Sequence, residues 1–265
     1  MSRTVCAAFL AIMVEAAIGA LAAPALAQFT ATRDEYRCSS DTAKAMGKMI
    51  VRRSRCVQQC VANARRTLLF SDCFPGFGGT TQACVFDAEA RTRNTIIRAC
   101  AADCPDCYQS QDRCDTAEPD VSNVGIQLDF FSESLVYCVE GNGGNATPPQ
   151  AACEDAVAKA VTRLGASRIK CYTRCYAGIY ARSCPTCTSG QLPPGSCNPP
   201  VSDLRTARCI ARASDRAAAA IDASCSAFGA HPQCHVDLSL GSGQAWADLM
   251  GGAIDGQVPN VACEQ

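Results

Sequence analysis

Large apolar side chains are scarce in this chain. Leu, Ile, Val and Phe supply only 49 of 265 residues, there is one Trp, and after residue 27 no run of eighteen or so apolar residues occurs. The first shortage leaves a chain of this length little to bury without covalent help. The second excludes a membrane-spanning helix from the rest of the chain. The net charge is −1 at pH 7, so no global field draws the chain to nucleic acid or to a membrane surface. No Gly-x-Ser-x-Gly or Gly-x-x-x-x-Gly-Lys motif occurs and histidine appears only twice, at His231 and His235. Those absences remove the usual signatures of nucleophilic hydrolases and phosphate loops.

What is abundant is cysteine, with 21 residues, of which Cys6 lies in the first 27 and 20 follow. The first 27 residues read as a secretory signal peptide: Arg3, an apolar run from Val5 to Val14, and Ala25-Leu26-Ala27 as a small-x-small cleavage site. The remainder is expected to be exported, periplasmic or secreted, and an even, dense cysteine set in an oxidising compartment reads as a disulfide framework.

The cysteine spacing repeats. Cys38, Cys56 and Cys60 recur 115 residues later as Cys153, Cys171 and Cys175, and Cys84, Cys100 and Cys138 recur 125 residues later as Cys209, Cys225 and Cys263. Between the two sets lies GNGGNATPPQ, a Gly, Asn and Pro stretch of linker character. The expected organisation is a signal peptide over 1–27, a first helical unit over 28–140, a flexible linker over 141–150 and a second helical unit over 151–265.

Within each unit the period is helical. A separation of eighteen returns Cys38 and Cys56 to one helix face after five turns, with Cys60 one turn further; Val157, Val161, Leu164, Cys171, Cys175 and Ile179 form the matching stripe. A second helix is expected near 84–100 and 209–225, opened by Thr80 or Ser202. An antiparallel hairpin then brings first cysteines opposite last ones. That leaves Cys38 to pair with Cys100 or Cys104, and Cys56 or Cys60 with Cys84; spacing does not choose between them. Cys84 and Cys100 stand sixteen apart, about 160° around a regular helix, so they cannot both face the partner centrally. Val124, Leu128, Phe131, Leu135 and Cys138 mark a third amphipathic helix. Its counterpart around Trp246 to Cys263 is interrupted by Gly251-Gly252. The fold class is therefore all-α, a disulfide-rich tandem repeat of two units, each a hairpin plus a third helix.

Three chemistries compete for the cysteines. Cys38, Cys56, Cys60, Cys84, Cys100, Cys104, Cys153, Cys171, Cys175, Cys209 and Cys225 are read first as structural disulfide residues. The alternative is thiolate metal binding, since Cys56 with Cys60, Cys100 with Cys104, and Cys171 with Cys175 each place two sulfurs on one helix face. In this respect the helical stretches resemble bacterial four-helix-bundle copper-storage proteins, a resemblance that implies copper or zinc held by reduced thiols. The third reading is thiol–disulfide exchange at Cys104-Pro-Asp-Cys107 or Cys184-Pro-Thr-Cys187. The first of these follows a helix C-terminus beside Asp103 and Asp106, whose charges disfavour a thiolate. His231-Pro-Gln-Cys234-His235 has metal-ligand spacing only on a helix, and Pro232 favours a turn.

Charge is uneven. Residues 33–66 hold nine basic side chains against three acids, while 103–140 carries nine acids against Arg113 alone. The two segments complement each other within one fold, and the candidate interaction surface is a basic face of Arg52, Arg53, Arg55, Arg65 and Arg66 without the interleaved aromatics that nucleic acid requires. The expected function is a non-enzymatic interaction or structural module without a cofactor. Its partner would be an unspecified protein or cell surface, engaged through two similar surfaces whose contacts combine.

Overall fold

Two long helices form the spine, α1 (Arg33–Thr67, 35 residues) and α6 (Pro148–Ser183, 36 residues). Each start is fixed locally. Thr32 and Glu35 form a reciprocal capping box: Thr32 N–H donates to the Glu35 carboxylate (2.6 Å), and Glu35 N–H donates to Thr32 Oγ1 (3.1 Å). At α6, Thr147 N–H donates to Gln150 Oε1 (2.9 Å) and Pro148 occupies the first helical position. The computed structural model describes residues 32–67, 70–105, 108, 112–183, 192–193, 195–227 and 229–262, and among these there is no strand. The signal-peptide expectation, Cys107, Cys184-Pro-Thr-Cys187 and Cys263 lie outside the described residues.

The two spine helices run antiparallel. Tyr36 stacks on Tyr180 with ring centroids 4.2 Å apart. Midway, Ser54 and Thr162 share a 2.7 Å hydrogen bond, and at the other end Arg65 reaches Glu154 and Asp155. Gly47 faces Ile169 across the pair, where even a Cβ would find ordinary contact at 3.5 Å.

Helix α2 (Gly79–Cys100) lies along α1, and α7 (Leu204–Cys225) along α6. Each pair is bridged at both ends: Cys38–Cys100 and Cys56–Cys84 in the first half, Cys153–Cys225 and Cys171–Cys209 in the second. Cys60 and Cys175 instead hold the intervening loops through Cys73 and Cys197. The conflict over Cys84 is met by exposure: Cys84, in the second turn of α2, is exposed, and Val85 takes the buried position. The caps differ from expectation, being Gly78 for α2 and Asp203 for α7, where the Asp203 carboxylate accepts from Thr206 N–H (2.8 Å).

The chain after α2 forms a short α3 (Asp112–Asp115), tied back by Cys104–Cys114, then α4 (Glu118–Phe130), a π-helical turn over Phe131–Val136, and α5 (Cys138–Gly141). After α7 come α8 (Gln233–Asp237) and α9 (Gly243–Ala262). Helix α9 continues through Gly251-Gly252, contrary to the interruption expected there. The reason is packing: a Cβ at Gly251 would lie 2.4 Å from Arg168 Nη1, whereas Gly252 faces open space.

The halves do not stand apart. One core joins Val57 and Val61 of α1, Leu135 to Tyr137, Val157, Val161 and Leu164 of α6, and Trp246 and Met250 of α9. Burying each such side chain contributes roughly 1.5–3 kcal/mol. The expected flexible linker over 141–150 shortens to a turn between Gly141 and Pro148. It is tied down by Gly143 N–H to Glu140 O (3.0 Å) and Gly144 N–H to Val139 O (2.9 Å). Cys138–Cys234 then bridges the halves covalently, so the third element of the first half is secured to the second half.

Two buried arginines occupy corresponding places. Arg53 and Arg168 are 115 residues apart, the offset of the cysteines on their helices. Arg53 pairs with Glu89 and Asp129; Arg168 donates to Ser214 Oγ (3.2 Å) and Asp255 (2.7 Å). Each Asp stands four residues after a glycine, Gly125 or Gly251, at which a Cβ would collide with that arginine's Nη1. From Asp129 to Cys138 there is one residue more than from Asp255 to Cys263. The π-helical turn over Phe131–Val136 falls inside that longer interval, and a π turn takes up an added residue without breaking the helix.

Candidate functional site

Helices α4 and α9 both border the α1–α6 spine. Leu135 and Val136 of the π-helical turn share the core with Trp246 of α9, while residues of α4 and of the second half of α9 line a gap. The gap is a cavity of about 370 Å³, inside the 300–1,000 Å³ range of small-molecule sites. Met46 and Ile50 of α1 and Ile169 of α6 form its floor. Val124, Leu128 and Phe131 form one wall, and Met250, Ile254 and Val258 the other. The stripe expected of a third helix therefore divides. Leu135 and Cys138 are buried in the core, whereas Val124, Leu128 and Phe131 are half-buried and open onto the cavity.

The polar groups of the lining are mostly engaged. Arg113 and Asp120, its only charged members, pair with each other (Nε to Oδ2 3.0 Å), and the Arg113 guanidinium lies 4.0 Å from the centre of the Tyr108 ring. Tyr172 OH donates to Asp255 (2.7 Å) and Tyr176 OH to Asn198 (3.1 Å), so both rings present carbon to the cavity. Burial, then the bond to Asp255 and its charge, raise the Tyr172 pKa, which keeps that hydroxyl neutral. At the mouth stand the exposed amides Asn123 and Gln127, one turn apart on α4, with Gln257 on α9.

The sequence-derived site residues are placed differently. Cys38, Cys56, Cys60, Cys84, Cys100, Cys104, Cys153, Cys171, Cys175, Cys209 and Cys225 are all disulfide-bonded, and none borders the cavity. The six cysteines of the copper or zinc alternative (Cys56, Cys60, Cys100, Cys104, Cys171 and Cys175) are among them, and a bridged sulfur offers no thiolate to a metal. Cys104 is bonded to Cys114 rather than to Cys107, its partner in the exchange reading. Sulfur or carboxylate atoms of Cys153, or of Cys138 with Glu154, come near His235. Both cysteines are bridged, and the His235 ring donates Nε2–H to Val136 O (3.1 Å) with its pKa lowered by burial.

The basic face is corrected. Arg53 is buried against Glu89 and Asp129. Arg65 turns inward to Glu140 (2.8 Å), Asp155 (3.0 Å) and Glu154 (3.2 Å). Only Arg52, Arg55 and Arg66 remain exposed. Of the acids of 103–140, Asp129 and Glu140 pair with α1; Glu89, Glu154 and Asp155 supply the other partners. Around Arg65, two buried carboxyls face each other: burial first, and then Glu140, push the Glu154 pKa up to about 9. A proton on Glu154 supplies the donor that two acceptors lack.

No family model matches this chain, and neither a curated protein nor a solved structure matches it.

Proposed function

We propose that the chain is an exported, non-enzymatic binding module that holds a small, largely apolar molecule in the cavity between α4 and α9. The observation that carries this reading is the cavity itself: about 370 Å³, walled by aliphatic, methionine and aromatic side chains from four helices, where an apolar ligand would leave water without displacing any internal bond. Eight bridges among the described residues suit an oxidising compartment, and no described helix is long and apolar enough to cross a membrane. The two halves are read as copies of one unit, on the strength of the matched bridges and the two arginine sites. In that reading the corresponding end of the spine is filled by Tyr137 and Trp246, so one site survives in place of two.

The test is saturable binding of the neutral fluorophore N-phenyl-1-naphthylamine to oxidised protein. One site per chain is expected. Ala43→Phe and Ala253→Trp, which add bulk at incompletely buried lining positions, should each weaken uptake about tenfold while leaving the helical signal intact. Unsaturable binding, or saturable binding indifferent to both substitutions, contradicts the proposal.

A further inference from the structure

Resting on that reading of the cavity, the geometry points to a narrower ligand class: we infer that the site selects an amphiphile whose head is uncharged, a hydroxyl, carbonyl or amide on an aliphatic or isoprenoid-like body, and discriminates against the same body carrying a carboxylate or an ammonium.

The cavity holds one cation and one anion, and they neutralise each other. Arg113 contacts both oxygens of Asp120, Nε to Oδ1 at 3.1 Å and Nε to Oδ2 at 3.0 Å. Both side chains are largely shielded, 16% and 18% exposed. The other face of the guanidinium is covered by Tyr108. A carboxylate head would compete with Asp120 for Arg113 and set a second anion beside it in a partly dry setting; an ammonium would compete with Arg113 for Asp120. Separating such a pair is costly, and so is taking an ionised head out of water beside methyl and methylene groups.

A neutral head meets different chemistry. The exposed amides of Asn123 and Gln127 stand at the mouth on α4, and each amide carries donors and an acceptor, so together they can satisfy a hydroxyl or a carbonyl without any charge being moved. Deeper in, Met46 and Met250 lie among the lining residues. Their flexible thioethers adapt to an irregular or branched chain better than a rigid lining would.

The experiment compares three ten-carbon probes with one apolar body: decan-1-ol, decanoate and decyltrimethylammonium, each displacing N-phenyl-1-naphthylamine from the oxidised protein at pH 8, where decanoate is ionised. Decanol should displace the fluorophore with an affinity about tenfold above either ion. Asp120→Asn removes the carboxylate that Arg113 Nε contacts, so decanoate should gain at least about fivefold relative to decanol, a gain that misfolding cannot mimic. Decanoate or the ammonium matching decanol in the native protein overturns the inference, as does an unchanged decanoate-to-decanol ratio in Asp120→Asn. If the fluorophore binds at one site and only the head-group preference is absent, the cavity reading stands and the selectivity fails. If neither fluorophore nor any chain binds, both fail.

Discussion

The Cys138–Cys234 bridge separates a molecule with one shared core from two modules on a tether. It is the only described bridge between the halves, with a Cα–Cα distance of 6.3 Å. Its 96-residue separation would on its own correspond to about 4.7 kcal/mol of denatured-state entropy. The denatured chain is already shortened, however. From Cys138 the path runs to Cys153, across the Cys153–Cys225 bridge and on to Cys234. That closes a loop of about 24 residues and is worth about 3.5 kcal/mol. Cys138 is 1% exposed, so truncating it adds roughly 1 kcal/mol of lost packing. Cys138→Ala with Cys234→Ala should therefore cost about 4–5 kcal/mol in guanidinium unfolding followed by far-UV circular dichroism. A single transition should persist, because Val61, Val161 and Trp246 still share one core. A loss below about 2 kcal/mol, or two separated transitions, would refute the reasoning.

Three further outcomes follow from buried charge and close packing. Arg53→Met leaves Glu89 and Asp129 facing each other and should cost about 3–5 kcal/mol; Arg168→Met strands one acid and a serine and should cost less; the exposed Arg52→Ala should stay within about 0.5 kcal/mol. Denaturation midpoints would rank them, and an Arg53 variant no worse than the Arg52 variant refutes the assignment. Glu154 keeps its proton to about pH 9 in the folded chain, while the unfolded carboxyl releases it near pH 4.5. Its stabilisation is therefore full below the lower value and fades as pH rises to the upper, by at most about 1.4 kcal/mol per pH unit. Glu154→Gln should flatten that decline between pH 5 and pH 9, and parallel curves for the two proteins would disprove the buried proton. Gly251→Ala should destabilise by displacing Arg168 from Asp255, whereas Gly252→Ala, with open space around it, should stabilise by up to about 1 kcal/mol; equal thermal midpoints would contradict the packing argument.

Cysteine spacing made the helical hairpins legible, because eighteen-residue intervals and helix length together leave few partners for each sulfur. The buried arginines are also written in the pattern. Met46, Ile50, Arg53, Val57 and Val61 fall on one stripe of α1, as Val161, Leu164, Arg168 and Cys171 do on α6, and a charge inside such a stripe demands an internal counter-ion. Counting arginines by proximity in sequence placed Arg53 and Arg65 on a surface; reading them by face would have sent them inward. The capping boxes Thr32-x-x-Glu35 and Thr147-x-x-Gln150 likewise mark both spine starts, and the second places the helix boundary at Pro148, inside the stretch read as linker. The cavity had no such signature. Val124, Leu128 and Phe131 keep helical periodicity whether they pack against a core or against a void, and only the tertiary placement of α4 and α9 around the cavity distinguishes the two.

The described cysteines stand as bridges in this fold and not as thiol ligands. Disulfide mapping of the natively produced protein, alkylated and digested under non-reducing, metal-retaining conditions, checks this. The account requires linked peptides for Cys38–Cys100, Cys56–Cys84, Cys60–Cys73, Cys104–Cys114, Cys138–Cys234, Cys153–Cys225, Cys171–Cys209 and Cys175–Cys197, with no label on any of these residues. Alkylated thiols at Cys56, Cys60, Cys100, Cys104, Cys171 and Cys175, accompanied by bound copper or zinc, would contradict it and make metal chemistry the function.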